Sequence, residues 1–567
     1  MRSWFAEGAW TLTFAVVAGG ADEENALTAG DALAVSLKGK RLSVRITSDN
    51  NGKPFVSELL CPNLSAGVHA ARVVWRGYHA ALYVDEVLQD EEWPIGVLPK
   101  DATPAFGGCV SDVRMESGAA EEEQMEATLP FAAQYYAPPG HNTHAGDCMP
   151  FFQGGRYRLF HLFDRRQHRS KVGLGAHQWA QVSSADLETW TLHPIAVPIT
   201  AQWEGSICTG SLLEHGGKVY AFYAVRMTDG SPAKITWATS DDCVHFEKSG
   251  IYLSLAAPFD PPSARDPMVF RAEDGAFHML VTTSLAGTPN GGCLAHLVSG
   301  DLATWEQQFE PFLIPGYGDQ PECADWFQWN GWTYLVFSDG AIGRYRMARS
   351  PFGPWHKPEN DLLDALEVSV PKTAAFHGGR RLSTGFLTRR PRGYAGSAVT
   401  HELVQRADGT LGVRHVEEML PPFAQTEPRS LTLEAEQGVA YAPIGSAGDF
   451  RLRMDISPRT GGAAYGLTLT DAGGGETCVL FDAPARMVRV IRPKQAFEGG
   501  EARNQLTNVD LSGPVSVDIV RIGDVLDLHL SGDCMLTVRL DEASTLEIAA
   551  FAQWSSVDIP RCTLSTR

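Results

Sequence analysis

The sequence predicts an all-β protein. Short runs rich in β-branched and aromatic residues, such as "RVVWRGYHAALYVD", "YAFYAVRM", "TYLVFSDG" and "VSVDIVRIGDVLDLHL", are separated by Gly, Asp and Asn turns. Long amphipathic helical patterns are absent from the sequence. A repeated motif in the middle of the chain is the third observation, and it predicts the architecture of that part.

Length and composition indicate several soluble globular domains. The chain has 567 residues, of which 44% are hydrophobic and 20% charged. It carries 67 acidic against 47 basic residues, a formal net charge of -20. A chain of this charge is repelled by phosphate backbones and anionic lipid surfaces, so nucleic acid and membranes are not expected partners. No run of about 18 apolar residues occurs that would span a bilayer.

The cysteines and the start of the sequence predict a cytoplasmic location. Ten cysteines are scattered without short paired spacings, which indicates free thiols rather than a zinc or disulfide framework. Glu7 interrupts the first apolar stretch, and the alternation in "WTLTFAVV" is typical of a strand. We therefore expect no signal peptide.

The repeat in the middle of the chain predicts a five-bladed β-propeller over residues 136–423. The segments "SADLETW", "SDDCVHF", "SGDLATW" and "SPFGPW" each join a Ser to a closing aromatic residue through a polar turn. They begin at Ser184, Ser240, Ser299 and Ser350, at separations of 56, 59 and 51 residues. A period near 55 residues fits one four-stranded blade.

Two further β domains flank the predicted propeller. Residues 1–130 contain a strand, turn, strand pattern around "YVDE" that resembles the laminin-G or concanavalin-like sandwich. The acidic run from Glu116 to Ala127 is interpreted as a solvated linker. Residues 425–567 alternate in strand fashion and contain "LEIAAFAQWSSVDI", which predicts a second β-sandwich.

Three acidic residues are candidates for a site at the mouth of the propeller. Asp147 in "AGDCMPFF", Asp266 in "SARDPMVF" and Glu322 in "DQPECADWF" each precede an apolar run. They are 119 and 56 residues apart, which is about two blades and one blade. Inner strands of a propeller surround one axis, so we expect the three carboxyl groups to converge. The alternative is that they form turn or blade-to-blade hydrogen bonds.

These segments resemble glycoside hydrolase family 32, the invertases, levanases and inulinases. Arg265, Asp266 and Pro267 match the family's "RDP" motif, Glu322 and Cys323 match its "EC" motif, and Asp147 takes the place of the Asp in "WMNDPNG". The stretches "YRLFHLFD", "CTGS" and "HELVQRADGTLGVRHVEEM" are also similar to family segments. The resemblance covers most of residues 136–420 and implies a propeller followed by a β-sandwich.

The resemblance implies a retaining glycosidase that cleaves terminal β-fructofuranosidic or related furanosidic bonds. Asp147 would be the nucleophile, Glu322 the general acid/base, and Asp266 with Arg265 would hold sugar hydroxyls and stabilise the charged transition state. Such chemistry needs two carboxyl groups on either side of the scissile bond. Two alternatives stay open: an inverting furanosidase of the arabinanase type, and a carbohydrate-binding protein without catalysis.

Departures from the family motifs concern the sugar. His144, Ala145 and Gly146 replace the family's "WMN", and Leu162 and Asp164 replace its Gln and Asn. The segment "HLFDRRQHRSKVGLGAHQW" offers other polar groups for a different or more anionic sugar, namely Asp164, Arg165, Arg166 and His177. A solvated basic loop is the competing interpretation.

Further candidates for sugar binding are Thr209 and Ser211 in "CTGS", Trp179, and Trp203 as a stacking platform. Trp326 and Trp329 follow the predicted acid/base closely, and core packing is the alternative for all four Trp residues. No cofactor or metal is expected, because His141, His144 and Cys148 lie in a stretch rich in Gly and Pro rather than on a helix. The expected partner is an oligosaccharide or small glycoside, and the sequence leaves the oligomeric state open.

Overall fold

A computed structural model describes residues 5, 8–19, 23–99, 102–119, 126–129, 133–388, 393–424, 426–459, 464–491, 504–531, 533–541 and 545–567. Within these ranges the chain is built of strands, which confirms the all-β prediction. The described helices are short: α1 (Ser170–Gly173) and three 3-10 turns, Pro261–Ser263, His377–Gly379 and Glu417–Met419. None of these described helices is long and apolar enough to cross a bilayer. No disulfide joins any of the ten cysteines, all of which lie in the described ranges.

The N-terminal strands form two antiparallel five-stranded sheets, with orders β10-β1-β6-β7-β8 and β5-β4-β3-β2-β9. One hydrophobic core cluster takes side chains from both sheets. The strands are β1 (Trp10–Ala18), β2 (Glu23–Ala29), β3 (Leu33–Lys38), β4 (Arg41–Asn50), β5 (Lys53–Cys61), β6 (Gly67–Trp75), β7 (Ala80–Val84), β8 (Val87–Glu92), β9 (Pro104–Phe106) and β10 (Val110–Ser117).

Residue alternation explains this packing. Along β4 the buried residues Leu42, Val44 and Ile46 alternate with polar ones, so one face meets the core and the other meets water. The predicted "YVDE" hairpin is the β7–β8 turn, where Asp85 and Glu86 both have positive φ, as a two-residue hairpin requires. Residues 120–125 of the predicted acidic linker lie outside the described residues.

The described residues of the central part of the chain form twenty strands in consecutive antiparallel meanders. They are β11 (Ala127–Thr128), β12 (Thr143–Gln153), β13 (Arg156–Arg165), β14 (Gln178–Ser184), β15 (Thr191–Leu192), β16 (Glu204–His215), β17 (Lys218–Met227), β18 (Lys234–Ser240), β19 (Glu247–Lys248), β20 (Arg265–Arg271), β21 (Phe277–Ser284), β22 (Gly292–Ser299), β23 (Glu306–Gln307), β24 (Glu322–Trp329), β25 (Trp332–Asp339), β26 (Ile342–Ala348), β27 (Val368–Ala375), β28 (Arg381–Thr388), β29 (Gly396–Gln405) and β30 (Leu411–His415).

Five consecutive units are visible in the pairing of these described strands: β12–β15, β16–β19, β20–β23, β24–β26 and β27–β30. Neighbouring units share few ladder bonds; β12 meets β29 only at Ala145 and Gly396, and β26 meets β27 only at Ile342 and Ser369. The first strand of each unit contacts the first strands of its neighbours, in the cyclic order β12, β16, β20, β24, β27 and back to β12. Residues from the starts of the five units are therefore brought together.

The repeated Ser motif is a hydrogen-bonded turn at the end of the third strand of a unit. The Oγ of Ser184 accepts the backbone N–H of Leu187 at 2.7 Å, and Asp186 accepts the N–H groups of Glu188 and Thr189. The same arrangement recurs at Ser240 with Asp242 and at Ser299 with Asp301. Local side-chain to backbone bonds of this kind explain why the turn residues recur in the sequence.

The C-terminal strands form one ten-stranded sheet with its own large core cluster. They are β31 (Arg429–Ala447), β32 (Phe450–Pro458), β33 (Ala464–Asp471), β34 (Glu476–Asp482), β35 (Met487–Ile491), β36 (Gln505–Thr507), β37 (Val515–Ile522), β38 (Val525–Leu530), β39 (Cys534–Arg539) and β40 (Leu546–Thr566). A buried ion network joins this sheet to the central units: His401 lies 2.7 Å from Asp364 and 2.9 Å from Asp527. The two carboxylates outweigh the effect of burial, which lowers the pKa of His401, and raise it well above its usual range.

Candidate active site

Each first strand of the five units carries a bulge at the same level. The register against the second strand shifts between the following pairs: Ala145 and Cys148, Ile207 and Gly210, Arg265 and Met268, Glu322 and Asp325, and Ser369 and Lys372. A bulge redirects side chains and is common beside active sites. Asp147 and Asp266 lie within these bulges and Glu322 begins one, so all three predicted acids belong to corresponding bulges on different strands, at different positions within them.

The backbone at three of these bulges adopts an unfavourable conformation, and in the last unit Val370 has φ of 42°. Asp266 has φ of 53° and the adjacent-unit residue Cys323 has φ of 54°. Non-glycine residues rarely adopt positive φ, at a cost of roughly 1–3 kcal/mol, and such residues concentrate at functional sites. The Cys323 N–H donates to Oδ2 of Asp266 at 3.0 Å, so the two strained positions hold each other.

Asp147 is oriented by donors from three other parts of the chain. The Thr209 hydroxyl donates a short hydrogen bond to its Oδ2, and the Tyr394 hydroxyl donates to its Oδ1 at 3.0 Å. The Cys323 thiol lies 3.7 Å from Oδ2 of Asp147 and 3.9 Å from Oδ2 of Asp266. Both oxygens of Asp147 are thereby fixed in direction, and the thiol of Cys323 connects two of the three acids.

Gly146 explains one departure from the family motif. A Cβ at this position would lie 2.5 Å from the Tyr394 hydroxyl oxygen, so any larger residue would displace the donor to Asp147. The residue before the predicted nucleophile must therefore be glycine in this chain. Tyr394 has no counterpart among the motifs that the sequence suggested, and no signal in the sequence marked it.

Glu322 and Asp266 share Arg265. The Nη2 of Arg265 donates to Oε1 of Glu322 at 3.0 Å, and its Nε lies 3.8 Å from Oδ2 of Asp266. Gln320 and the Ser263 carbonyl accept further bonds from the same guanidinium. These contacts fix the guanidinium of Arg265 between the carboxyl groups of Glu322 and Asp266.

The surroundings of Glu322 and of Asp266 raise the pKa of each carboxyl group. Burial, followed by the negative charge of Asp266, raises the pKa of Glu322 to about 7, although Arg265 acts in the opposite direction. Burial also raises the pKa of Asp266, which Arg265 partly counters. Glu322 is therefore a carboxyl group that carries a proton up to neutral pH, as a general acid must.

A cavity of about 970 Å³ lies in front of these groups. Its lining contains Arg265, Asp266, Glu322, Tyr394, His177 and Arg226. Asp147 is half-buried and adjoins this lining through Tyr394. A cavity of this size accommodates a small glycoside.

Residues 165–177 form one wall of the cavity, and the sequence predicted only some of its contacts. Asp164 is fully buried; its Oδ1 lies 3.0 Å from Nε2 of His177 and accepts the His168 N–H at 2.7 Å. The His177 ring stacks on Tyr394 with centroids 5.0 Å apart. Asp164 therefore acts on the cavity through His177, whereas His177 itself lines it.

The N-terminal sheets hold this wall in place. Arg166 bonds to Oδ2 of Asp90 at 2.7 Å and to Oε2 of Glu92 at 2.9 Å, and Oε1 of Glu92 also accepts the Lys171 N–H. Arg165 donates to Glu91; burial raises the pKa of this carboxyl group, but the charges and hydrogen bonds of Arg165 and His79 together outweigh burial and lower it to about 2. The interpretation of Arg165 and Arg166 as sugar-binding groups is not supported, since carboxylates of the chain itself occupy both.

The other residues predicted to bind sugar either pack inside the protein or lie outside the cavity lining. Trp179 is fully buried and donates to the Cys208 carbonyl, and the buried Ser211 hydroxyl accepts the Val269 N–H. Thr209 contacts Asp147 rather than the cavity lining. Trp203 is 37% exposed, packs edge-on against Tyr252, and lies outside the lining.

Trp326 and Trp329 also serve packing. Trp326 stacks on Phe270 with centroids 4.0 Å apart, and Trp329 donates to the Gly379 carbonyl. Lys372, by contrast, is a buried cation that sequence reasoning missed: it donates to the Gly210 carbonyl at 2.7 Å and partly counters the rise in the pKa of Asp266. An isolated Lys within a strand gave no signal in the sequence.

The comparisons with known proteins agree with one another on the family that this chain resembles. Residues 148–349 match the model of the glycosyl hydrolases family 32 N-terminal domain. The sucrose-6-phosphate hydrolase of Klebsiella pneumoniae is 26% identical over 266 residues, 41% of this chain and 53% of that protein. That of Zymomonas mobilis is 26% identical over 240 residues, 39% of this chain and 46% of that protein. The chain thus spans about half the length of these curated relatives.

Solved structures show the same fold at low identity. The exo-inulinase from Aspergillus awamori superposes with a TM-score of 0.61 at 15% identity, over 76% of this chain and 97% of that one. Sucrose-6-phosphate hydrolase from Lactobacillus gasseri superposes with a TM-score of 0.55 at 16% identity, over 75% of this chain and 92% of that one. These likenesses concern the fold of the two chains.

Proposed function

Because the chain is a divergent member of glycosyl hydrolase family 32, we propose that it is a retaining glycosidase that cleaves terminal β-fructofuranosidic or related furanosidic bonds. The observation that carries the proposal is the convergence of Asp147, Asp266 and Glu322 at equivalent bulges around one cavity. Most glycosidases use two carboxyl groups that flank the scissile bond.

The reaction divides between these residues. Asp147 attacks the anomeric carbon while protonated Glu322 gives its proton to the departing oxygen. Ionised Glu322 then removes a proton from the water that hydrolyses the sugar–Asp147 ester. Arg265 lies beside Glu322 and Asp266, where Asp266 can hold ring hydroxyls whose bonds strengthen in the transition state.

We further propose the architecture that this mechanism needs. The five units between residues 136 and 423 are the blades of a propeller whose first strands surround the site. Residues 1–130 and 425–567 would be the flanking β-sandwiches. The cytoplasmic location stays a prediction, drawn from the sequence alone.

Hydrolysis of a panel of furanosides tests the assignment. Sucrose, inulin, levan and arabinofuranosides are offered to wild type, Asp147→Asn and Glu322→Gln, and the first-formed product anomer is followed by NMR. We expect both variants to lose at least a thousandfold in kcat/KM and the wild type to retain configuration. Glu214→Gln, an exposed carboxyl on β16, is the matched control.

Each contrary result has its own meaning. Undiminished hydrolysis in both variants would reject the assigned acids. Inversion of configuration would favour an arabinanase-type mechanism. Binding of sugars without turnover by the wild type would favour a carbohydrate-binding protein.

A further inference from the structure

The first strand of each of the five units places a polar side chain at its bulge. In the first, third and fourth units these side chains are the acids Asp147, Asp266 and Glu322. The second unit supplies Thr209, whose hydroxyl donates to Asp147, and the fifth supplies Lys372 at the end of its bulge. Of these five side chains, Lys372 is the one that carries a positive charge.

The side chain of Lys372 reaches from the fifth unit to the second. Its Nζ donates to the Gly210 carbonyl at 2.7 Å, although the first unit lies between these two units in the cyclic order. Gly210 follows Thr209 directly and leaves no room for a side chain, because a Cβ there would overlap the Phe222 carbonyl. Lys372 therefore fixes the bulge from which the Thr209 hydroxyl reaches Asp147.

The surroundings of Lys372 indicate that its charge matters as well as its hydrogen bond. Only 3% of the residue is exposed. A buried ammonium group is costly unless negative charge lies nearby to compensate it. Burial raises the pKa of Asp266 and of the Cys323 thiol, and the positive charge of Lys372 acts in the opposite direction on both. A methionine would fill a similar volume without the cost of a buried charge, so packing alone does not explain a lysine here.

Other charged and titratable groups also face Asp266. They are Arg265 on its own strand and, on neighbouring first strands, Asp147, Cys208, Glu322 and Cys323. Arg265 is shared with Glu322, so it does not serve Asp266 alone. The charged residues Asp325 and Arg381 bind the next residue along β27, Thr373.

We propose that Lys372 is a positioning residue for the glycosidase reaction: its ammonium group fixes the bulge that orients Asp147 and favours the ionised form of Asp266. Lys372 is not among the residues that line the cavity, so it acts through these two acids and not on the sugar. The inference rests on the proposed function, because it concerns the same acids.

The pH dependence of kcat/KM tests the inference. Lys372→Met keeps the length of the side chain and removes its charge, so the pKa of Asp266 should rise further and its ionised form should be lost at a higher pH. On a furanoside that the wild type hydrolyses, we expect the acidic limb to move up by about one pH unit. The alkaline limb, which reports Glu322, should stay in place. At the optimum, kcat should fall about tenfold with KM nearly unchanged, because the Thr209 donor to Asp147 is less well held.

Lys218→Met is the matched control, because Lys218 is an exposed lysine at the start of β17 that pairs with Asp241. Both limbs of its pH–rate profile should equal those of the wild type. Lys372→Arg, which retains the charge, should restore part of the acidic limb.

Thermal unfolding across pH tests the same coupling without a substrate. Asp266 has a raised pKa, so the stability that its protonated form contributes is present at low pH and is lost as pH rises through that pKa. Without Lys372 this pKa is higher still and the loss is larger. The difference in thermal midpoint between the wild type and Lys372→Met should therefore grow from acidic to neutral pH. In an Asp266→Asn background the same difference should not depend on pH.

The contrary results are distinct. An acidic limb that stays in place in Lys372→Met, or a difference in midpoint that is the same at every pH, would overturn the inference and assign Lys372 to packing. If Lys372→Met does not fold, recovery of folding on addition of Asp266→Asn would support the inference, and failure of the double variant would overturn it. If the wild type hydrolyses no furanoside while the difference in midpoint grows with pH, the proposed function fails and the coupling of Lys372 to Asp266 stands.

Discussion

The cluster of acids and the wall of residues 165–177 border the same cavity but are held by different means. Asp147, Asp266 and Glu322 lie on strands, and backbone bulges at matching levels set their positions. The wall contains six non-glycine residues with positive φ, and carboxylates on β8 hold it from outside the central units. The strands of the central units therefore set the positions of the three acids, whereas the N-terminal sheets set the position of the wall.

This difference gives the two regions different expected sensitivities. A change in the cluster alters the reacting groups and should act on kcat. A change in the support of the wall should displace His168, Arg169 and His177 and act on substrate affinity. Three predictions test that separation.

The largest expected effect is the pH dependence of the cluster. Glu322 has a pKa raised to about 7, so its acid form is present below that pH and is lost as pH rises above it. In the proposed mechanism kcat/KM should fall about tenfold per pH unit well above the pKa, or roughly fiftyfold between pH 7 and pH 9. A pH–rate profile on an accepted furanoside measures this.

Asp266→Asn provides the internal check on the cause. The negative charge of Asp266 is the second contribution to the raised pKa of Glu322, after burial. Removing that charge should move the alkaline limb of the residual activity to lower pH. An activity that stays constant to pH 9 in the wild type would contradict the role of Glu322 as the acid.

A second prediction concerns the link between the two regions. Tyr394 donates to Asp147 and stacks on His177, so it belongs to both. Tyr394→Phe keeps the ring and removes the hydroxyl; a hydrogen bond to a charged group contributes about 1.5–3 kcal/mol. We expect kcat to fall about ten- to a hundredfold with KM nearly unchanged, measured by initial rates.

The control for this change is Tyr220→Phe, a tyrosine on β17 whose ring stacks on Phe222 away from the cavity. Its kcat and thermal midpoint should equal those of the wild type. A rise in KM without loss of kcat in Tyr394→Phe would assign the hydroxyl to sugar binding instead of to Asp147.

The same contrast explains what the sequence could predict. Asp147, Asp266 and Glu322 were predicted because each sits in a short local motif and the blade spacing relates the motifs. The turn residues of the repeat were visible for the same reason, since Ser184 and Asp186 bond to their own neighbours. Contacts between residues that are close in sequence can be recognised from the sequence.

The remainder of the site depends on pairs far apart in sequence. Arg166 meets Glu92 across 74 residues, and Tyr394 meets Asp147 across 247. Arg165 and Arg166 looked available for a ligand because nothing near them in sequence indicates the acids on β8 that bind them. Nothing in the sequence marked Arg226, because an arginine near the end of a strand is common and its neighbours in space are not visible in the sequence.

The smallest expected effect is in the support of the wall. Glu92→Gln keeps an acceptor for the Lys171 N–H but removes the charge that faces Arg166. Because the wall should shift while the strands of the cluster stay in place, we expect KM to rise about three- to tenfold and kcat to stay within about twofold. Initial-rate kinetics across substrate concentration separate the two constants.

Glu86→Gln is the matched control, because Glu86 pairs with Arg72 on the exposed surface of the same N-terminal sheets. Exposed pairs contribute little, so its kinetics should equal those of the wild type. A fall in kcat as large as that of Tyr394→Phe in the Glu92→Gln protein would show that the N-terminal acids also set the geometry of the carboxyl cluster, and the two regions would then have to be treated as one mechanical unit.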